Sequence, residues 1–314
     1  MRAFTLDGFG TEPGLRTDIP MPELGRAERL VRIHASSVNP VDAFTAMGAL
    51  DGMIAHHFPV VLGRDLAGVV EQVGPAVSRY AVGDEVFGWL NKPVLEEGTF
   101  ADYIALPEYQ FVARKPATVD FVHAAAAPLA ASTALFALEA LSVGEGDTVL
   151  VVGATGGVGS LFVQLAAGRG AHVIATALPE DESFALGLGA AETVDRGEDV
   201  PAVVRERHPG GVAALLDLVS HEPSAFQANA GSVKPGGRAV STLSAAREGG
   251  TGDVVSDNIT AASDPAMLRR LAELIDAGSL RVPVQRIYPL DQVGQAFADL
   301  RGLHTQGKLA ISIA

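Results

Sequence analysis

The sequence of 314 residues contains no cysteine and a single tryptophan, and aromatic residues make up only 6% of it. Without cysteine, disulfide bonds, thiolate nucleophiles and cysteine-rich zinc sites are excluded. Basic residues are also few: 23 lysines and arginines stand against 37 acidic residues, which gives a formal net charge of −14. This charge disfavours non-specific binding to nucleic acid or to an anionic membrane surface, so we expect neither partner.

Long apolar runs are missing as well. No uncharged apolar stretch reaches 18 residues, and segment 141–152 is interrupted by Glu145 and Asp147, so we expect no helix that crosses a membrane. The first residues, 1–8, lack the apolar core of a secretion signal and include an early acid, Asp7. We therefore expect a cytoplasmic protein.

The most informative segment is 149–160, in which an apolar, strand-like run ends in a glycine-rich turn. A helix-like segment follows as far as Arg169, and 172–177 has the pattern of a second buried strand. In such a unit Gly156 lets the backbone approach a pyrophosphate, Gly157 keeps the turn free of a Cβ, and Gly159 lets the helix pack on the strand. The pattern predicts a dinucleotide site at the helix N-terminus, and the alternative is a glycine turn that binds nothing. The predicted cofactor-binding loop consists of Ala154, Thr155, Gly156, Gly157, Val158 and Gly159.

The rest of the chain divides into two patterns. Short apolar runs separated by Gly and Pro turns predict a mostly antiparallel, barrel-like domain in the first part. From His123 onward helices and strands alternate, which is typical of a doubly wound parallel sheet. The tail 308–313 is again strand-like. We predict an α/β fold in which 1–122 and 265–314 form a mostly β domain and 123–264 form the dinucleotide-binding domain.

The individual predictions follow the same signals. Strands are predicted at 30–35, 66–73, 85–88, 100–106, 111–114, 213–217 and 238–242, helices at 200–207, 223–230 and 264–278, and a turn at 234–237. Asp264 is expected to cap the last of these helices, which has Leu268, Leu271, Leu274 and Ile275 on its apolar face.

Seven motifs occur in a fixed order along the chain: Val38-Asn-Pro-Val-Asp42, Pro59-Val-Val-Leu-Gly-Arg-Asp-Leu-Ala-Gly-Val-Val70, Val82-Gly-Asp-Glu-Val-Phe-Gly88, Gly98-Thr-Phe-Ala-Asp-Tyr103, Ala131-Ser-Thr-Ala134, 153–159 and Gly307-Lys-Leu309. In these motifs, over essentially its whole length, the chain resembles the zinc-independent medium-chain dehydrogenases/reductases of the quinone oxidoreductase (zeta-crystallin-like) branch. The resemblance implies a GroES-like catalytic domain and a Rossmann cofactor domain.

Departures from the zinc-dependent relatives concern the metal ligands. Those relatives have a cysteine near positions 36–39 and a histidine where this chain has Arg64, whose permanent cation cannot ligate zinc. We therefore expect no zinc. Some enone-reducing relatives also have a lysine after the Asn-Pro-x-Asp motif, where Ala43 and Phe44 stand here, so the proton donor stays unassigned.

The choice of cofactor depends on the end of the second strand. Ala177 stands where NAD-binding sites place an acid, and Arg196 occupies a position at the adenosine end. These two residues favour NADPH over NADH. The acids Glu180, Asp181 and Glu182 argue the other way, unless they cap the next helix.

Further contacts are implied by the resemblance. Thr133 matches a position beside the nicotinamide ribose, although a helical Thr can simply bond its own backbone. Leu243 follows a strand end near the nicotinamide amide, and Lys308 matches a lysine near the pyrophosphate.

Two residues are the candidates for catalysis. Asn39 matches an asparagine close to the nicotinamide, and its alternative role is to bond backbone in an Asn-Pro turn. Arg64 can polarise a substrate carbonyl from the position of the lost metal, or instead pair with Asp65. The aromatic residues Phe44, Trp89 and Tyr103 form either a pocket for a planar substrate or ordinary core. We interpret His56 and His57 as a surface pair, not as metal ligands.

The predicted function is hydride transfer from NADPH to a quinone or an α,β-unsaturated carbonyl, without zinc. Alternatives are an enone or enoyl-thioester reductase of a biosynthetic pathway, and an NADPH-binding sensor without catalysis. The resemblance also implies a homodimer, for which 253–256 is the candidate edge strand.

Overall fold

The computed structural model describes residues 1–246, 253–261, 263–302 and 304–314. The strands are β1 (Ala3–Leu6), β2 (Gly14–Arg16), β3 (Glu28–Ser37), β4 (Ala55–His56), β5 (Val60–Val61), β6 (Asp65–Val73), β7 (Glu85–Trp89), β8 (Val94–Leu95), β9 (Tyr103–Pro107), β10 (Val112–Arg114), β11 (Thr148–Val152), β12 (His172–Ala177), β13 (Glu192–Asp195), β14 (Val212–Asp217), β15 (Val233–Ser241), β16 (Val255–Asn258), β17 (Val284–Pro289) and β18 (Lys308–Ser312). The helices are α1 (Pro40–Ala46), α2 (Phe121–Ala126), α3 (Pro128–Leu141), α4 (Gly157–Ala167), α5 (Glu182–Gly187), α6 (Val200–Arg207), α7 (Pro223–Ala230), α8 (Pro265–Asp276) and α9 (Val293–Gly302).

The middle of the chain forms a six-stranded parallel sheet in the order β13-β12-β11-β14-β15-β16. The strands run outward from β11 first to one side and then, from β14, to the other, as in a Rossmann fold. This arrangement opens a crevice at the carboxyl ends of β11 and β14, where such sheets bind their ligands. The predicted doubly wound domain is confirmed, and β12, α6 and α7 have the predicted bounds.

The mostly β part forms a second large sheet in the order β10-β7-β6-β3-β18-β17, with β9 also paired to β3. Strand β18 is antiparallel to β3, so the tail of the chain returns to the first domain, as predicted. The sheet is not purely antiparallel, because β17 pairs with β18 in parallel. The exact limits 1–122, 123–264 and 265–314 stay a prediction.

Two predicted elements were wrong in detail. Segment 234–237 is not a turn before a strand but an irregularity inside β15. There the pairing with β14 shifts register, from Val212 opposite Val233 to Ala214 opposite Arg238. The strand predicted at 100–106 begins only at Tyr103, because Phe100 bonds instead to Phe4 of β1.

Helix α8 follows its sequence signals closely. The carboxylate of Asp264 accepts from the Ala266 N–H at 2.8 Å, and Leu268, Leu271 and Ile275 are buried. These residues join the core that α3 and α4 build against the Rossmann sheet. None of the helices in the described ranges combines the length and apolar character that a bilayer crossing requires.

Candidate active site

The glycine-rich loop connects β11 to α4 by a tight turn. Gly153 has a φ of +87° and donates its N–H to Thr176 Oγ1 at 3.0 Å. A Cβ at Gly159 would lie 2.1 Å from the Gly153 carbonyl oxygen, so any side chain there would push α4 away from β11. A Cβ at Gly157 would lie 2.8 Å from Lys308 Cδ. The close helix-to-strand packing expected at Gly159 is present.

The N-terminus of α4 has the character of an anion site. Gly156 is its N-cap and offers no side-chain acceptor, and the first N–H that bonds back into the helix is that of Ser160. The N–H groups before it carry the positive end of the helix dipole, which suits a pyrophosphate. A Cβ at Gly156 would meet no protein atom closer than 3.6 Å, so its ligand-facing role stays a prediction. Ala154 is fully buried, while the Thr155 carbonyl accepts from the Gly307 N–H at 2.8 Å.

Asp65 is the centre of a buried polar cluster beside this loop. Its Oδ2 accepts from Ser37 Oγ at 2.6 Å and from Asn39 Nδ2 at 2.7 Å, and its Oδ1 accepts from the Leu129 N–H at 2.9 Å. Through these bonds one carboxylate, itself inaccessible to solvent, holds β3, the start of α1 and the start of α3 together. A buried carboxylate requires such partners, because each missing bond would cost its desolvation energy.

Lys308 completes the cluster from β18. Its Nζ donates to the Val38 carbonyl oxygen at 2.8 Å and to Asn39 Oδ1 at 2.6 Å, and lies 3.8 Å from Asp65 Oδ2. The stem of this lysine passes against Gly157, but the ammonium points to the cluster and not to the glycine loop. Lys308 thus has the contacts of a residue that positions Asn39 and Asp65. Contact between its ammonium and a phosphate stays a prediction.

Asn39 lies between the two charges of the cluster and is 4% exposed. Its backbone N–H donates to Asp42 Oδ2 at 2.9 Å at the start of α1. Since an amide nitrogen carries two hydrogens and Asp65 takes one, Asn39 can still donate the other to a ligand. Contact with substrate or ribose remains a prediction.

Arg64 does not form the alternative ion pair with Asp65, whose carboxylate is taken by the cluster. Its charge acts instead on Asp42, with which it lines a cleft next to α1. Its Nη2 is buried and has no hydrogen-bond partner in the described part of the chain. A buried guanidinium nitrogen without a partner is unusual in a folded protein, and a ligand oxygen is one group that would satisfy it.

Burial dominates the titration of these groups. It raises the pKa of Asp42 to about 7, against the opposing effects of Arg64 and of the Asn39 N–H. Burial likewise raises the pKa of Asp65, and Lys308, Asn39 and Ser37 oppose that change. It lowers the pKa of Lys308, and the carboxylates of Asp65 and Asp42 oppose it.

The predicted adenosine end is formed by two neighbouring strand ends. Ala177 is buried at the end of β12, and its carbonyl oxygen accepts from the N–H of the exposed Arg196 at 3.0 Å. No side-chain hydrogen bond from the residues that the structure describes caps the start of α5, so the capping role considered for Glu180, Asp181 and Glu182 is not seen. Asp181 is buried and bonds Gln306 Nε2 at 2.5 Å, while Glu182 accepts from Thr193 Oγ1 at 3.1 Å.

The remaining cofactor candidates, Thr133 and Leu243, make local hydrogen bonds. Thr133 Oγ1 donates to the Leu129 carbonyl oxygen at 2.8 Å, which is the local bond considered for it. Leu243 follows β15, and its N–H donates to Ser241 Oγ at 3.1 Å. Their contact with a cofactor stays a prediction.

The structure does not assemble the three aromatic residues into one pocket. Trp89 belongs to the core and is 2% exposed, Tyr103 lines a different cleft with Met1 and Ile19, and Phe44 is half-buried on α1. The two adjacent histidines bond separately, His56 Nδ1 to the Ile54 carbonyl oxygen at 2.8 Å and His57 Nδ1 to Glu96 at 3.0 Å.

Sequence reasoning did not find the role of Asp65. The available signal was a charged residue at the head of the apolar run 66–70, since an acid in a buried strand requires buried partners. Those partners come from 37, 39, 129 and 308, and no spacing in the sequence predicts that they meet.

Two family models match the chain. The alcohol dehydrogenase GroES-like domain matches residues 25–117, and zinc-binding dehydrogenase matches residues 188–311. The chain is 30% identical to the chloroplastic NADPH-dependent alkenal/one oxidoreductase of Arabidopsis thaliana, and the match covers 99% of this chain and 79% of that protein. Identity and coverage are the same for the 2-methylene-furan-3-one reductase of Solanum lycopersicum. The solved quinone oxidoreductase from Coxiella burnetii superposes with a TM-score of 0.87 at 28% identity, covering 100% of this chain and 99% of that one.

One of these families is described as zinc-binding, but the donor set beside the glycine loop does not suit zinc. The chain has no cysteine, and the residues at the expected ligand positions are Ser36, Ser37, Val38, Asn39, Arg64 and the adjacent Asp65. Both oxygens of Asp65 accept protein hydrogen bonds. The Lys308 ammonium lies 3.8 Å from Asp65 Oδ2, so a metal ion would have to compete with this ammonium for the carboxylate. Zinc prefers three or four nitrogen, sulfur or carboxylate ligands that are free to bind it.

Proposed function

The chain belongs to the medium-chain dehydrogenase/reductase family of oxidoreductases. From that premise we propose that it uses NADPH to reduce one of two substrate classes, the conjugated double bond of an α,β-unsaturated carbonyl compound or a quinone. The observation that carries the proposal is the juxtaposition of the α4 N-terminus with the Asp65 cluster and with the unpaired guanidinium of Arg64. The Arabidopsis and Solanum relatives, which each match 99% of the chain, are named for conjugated carbonyl substrates, and these names favour the enone over the quinone.

The nicotinamide, when bound, supplies a hydride, which the substrate accepts at the carbon β to its carbonyl. Negative charge then develops on the carbonyl oxygen. Arg64 Nη2 and the second hydrogen of Asn39 Nδ2 are the donors that this chain offers to that oxygen. A proton from water at the α-carbon completes the reduction, so the products are the saturated carbonyl compound and NADP⁺.

The role that we propose for Lys308 and Asp65 is positional. Together they bond both polar atoms of the Asn39 amide, and so fix its orientation before a ligand arrives. Preorganised donors lower a barrier more than mobile ones, because no reorganisation is needed when charge develops.

NADPH is proposed over NADH on the surroundings of Ala177. A small buried residue there leaves room for a 2′-phosphate, and Arg196 is exposed one strand away to meet it. Asp181 is buried and turns its carboxylate toward Gln306 and His304, so this acid is held by partners within the chain. The printed name of the Arabidopsis relative also specifies NADPH.

We further propose that the reaction uses no catalytic zinc, because the donor set beside the glycine loop does not suit that ion.

We also propose that the chain forms a homodimer. Strand β16 is the outer strand of the Rossmann sheet, and Val255 in it is 44% exposed. An outer strand with exposed apolar side chains can pair with its copy across a two-fold axis. Light scattering of the protein as it elutes from a size-exclusion column measures its mass in solution and so tests the dimer.

The experiment that tests the function follows the absorbance of reduced nicotinamide, with NADPH and NADH supplied separately against a panel of enones and quinones. We expect oxidation of NADPH that depends on the acceptor and that survives treatment with a chelator. Arg64→Met is expected to lower kcat for the enone by roughly a hundred- to a thousandfold, the range for loss of an oxyanion donor, with little change in NADPH affinity. If NADPH binds but no acceptor is reduced, the sensor without catalysis is the better account.

A further inference from the structure

Two histidines and a glutamate converge at the edge of the Rossmann sheet that faces away from the glycine loop. His172 begins β12, Glu192 begins β13, and His208 directly follows α6. Because β12 and β13 are parallel, their first residues meet at the amino edge of the sheet, whereas the cofactor crevice lies at the carboxyl edge. This His-Glu-His cluster is therefore separate from the proposed active site.

The two imidazoles point at the same atom. His172 Nε2 lies 2.8 Å and His208 Nε2 lies 2.6 Å from Glu192 Oε1, and the ligand atoms of the three residues all lie within 4.8 Å of one another. The rings are tilted by 58° with centroids 5.7 Å apart, so neither blocks the other. Among the described residues, this is the one group of three potential ligands that comes this close.

These distances are near those of a tetrahedral metal site. Zinc binds imidazole nitrogen at about 2.0–2.1 Å and carboxylate oxygen at about 2.0–2.2 Å, which places neighbouring ligand atoms about 3.3 Å apart. Small side-chain rotations that widen the nitrogen-to-oxygen distances would seat the ion. Two imidazoles and one carboxylate are donors that favour borderline divalent ions such as Zn²⁺ over the hard ions Mg²⁺ and Ca²⁺.

The surroundings orient the carboxylate as a ligand. Arg207 Nη1 donates to the Thr193 carbonyl oxygen at 2.8 Å and lies 3.4 Å from Glu192 Oε2, the oxygen that does not face the imidazoles. Outer partners of this kind hold a ligand in place at many metal sites.

The cluster is also reachable. The side chains of Glu192 and His208 are 23% and 24% exposed and that of His172 is 44% exposed, so an ion can enter from solvent and keep a water molecule as its fourth ligand.

We propose that His172, Glu192 and His208 bind one divalent transition-metal ion of the class to which Zn²⁺ belongs. The ion ties β12, β13 and the end of α6 together at one edge of the sheet. Its function is structural, because strands β12 and β13 present Ala177 and Arg196 at their opposite ends. The ion thus stabilises the part of the domain that carries the proposed adenosine site, without taking part in hydride transfer.

The test uses the full chain without an affinity tag, stripped by a chelator and dialysed. Titration calorimetry with ZnCl₂ is expected to show one tight equivalent, and Co²⁺ is expected to give visible absorption bands typical of a tetrahedral site. Zn²⁺ should raise the Tm, whereas Mg²⁺ at the same concentration should not. His208→Gln and His172→Gln are each expected to weaken Zn²⁺ binding at least tenfold.

His57→Gln is the matched control, since His57 also bonds a glutamate, Glu96, but has no second imidazole on that carboxylate. It should bind Zn²⁺ like the wild type. Circular dichroism checks that each variant is folded, and Glu192→Gln supplies an independent third variant. The proposal is overturned if the wild type takes up no Zn²⁺ in the micromolar range, or if folded His172→Gln and Glu192→Gln bind it as tightly as the wild type does.

Discussion

The ammonium of Lys308 donates to the amide oxygen of Asn39 over 2.6 Å, although the two residues are 269 positions apart in the chain. The bond joins the last strand, whose lysine stem lies against the glycine loop, to the first helix of the same mostly β domain. The same amide donates to Asp65 at 2.7 Å. One asparagine thus connects the proposed cofactor loop to the proposed substrate site.

Lys308→Met tests how much this buried cluster stabilises the folded protein. The substitution leaves the Asp65 carboxylate buried without its cation, and we expect a loss of about 3–5 kcal/mol in the free energy of unfolding. Denaturant titration measures it. Adding Asp65→Asn should restore part of the loss, while Lys234→Met, at an exposed lysine, should change little. A change below about 0.5 kcal/mol in Lys308→Met, the size of an ordinary surface substitution, would contradict the buried cluster.

Gly159→Ala tests the packing of the glycine loop. Its Cβ would lie 2.1 Å from the Gly153 carbonyl oxygen, so α4 must move, and overpacking of this kind costs about 1–3 kcal/mol. Affinity for NADPH, measured by fluorescence titration, should fall at least tenfold because the helix N-terminus moves with it. Gly187→Ala is the control: it adds the same methyl group to α5 where no atom lies within 4 Å. Unchanged NADPH binding in Gly159→Ala would refute the assigned loop.

Asp42→Asn tests the pH dependence of stability. Burial raises the pKa of Asp42 to about 7, whereas an unfolded chain ionises this group near 3.9. The folded state therefore binds the proton more tightly, and the stability that this gives is full below about pH 4 and is lost as the pH rises to about 7. Between these limits the wild type should lose up to about 1.4 kcal/mol per pH unit relative to Asp42→Asn.

Urea titrations between pH 4.5 and 8 give that comparison. Asparagine retains an oxygen for the Asn39 N–H, so the helix start should stay intact in the variant. Parallel stability curves for the two proteins would show that Asp42 does not titrate in this interval.

Arg196→Ala tests the choice of cofactor. If this arginine meets the 2′-phosphate, its removal costs a charge-assisted hydrogen bond of about 1.5–3 kcal/mol, which corresponds to roughly a ten- to hundredfold rise in the KM for NADPH. The KM for NADH should not change. Arg205→Ala removes an exposed arginine of α6 and should affect neither. An equal rise for both cofactors in Arg196→Ala would exclude a specific phosphate contact.

Local patterns predicted most of the fold. The glycine loop, β12 and α6–α8 follow from periodicity, caps and turn residues, because the forces that set them act over a few residues. The irregularity at 234–237 was misread, since proline and glycines are common both to turns and to bulges. Hydrogen bonds made with strands remote in the chain, and not the local sequence, decided between these structures.

The sites show the same limit. The loop 154–159 is contiguous and was found from the sequence, whereas the Asp65 cluster and the His-Glu-His cluster each draw residues from three or more elements. Pairing with Asp65 was the alternative considered for Arg64, because the two are adjacent in sequence. Successive residues point their side chains apart, however, and Arg64 acts on Asp42 instead. Which side chains meet depends on sheet order and strand register, and these become visible only in three dimensions.

The central claim is that hydride passes to the carbon β to a carbonyl. The most direct measurement supplies NADPH deuterated at nicotinamide C4, prepared separately with each stereochemistry, together with an enone, and locates the label in the product by mass spectrometry and NMR. The account predicts one deuterium on the β-carbon of a saturated ketone, from one of the two stereoisomers only. Deuterium on the carbonyl carbon of an allylic alcohol would contradict it, because the enzyme would then be a carbonyl reductase and the roles proposed for Arg64 and Asn39 would be wrong.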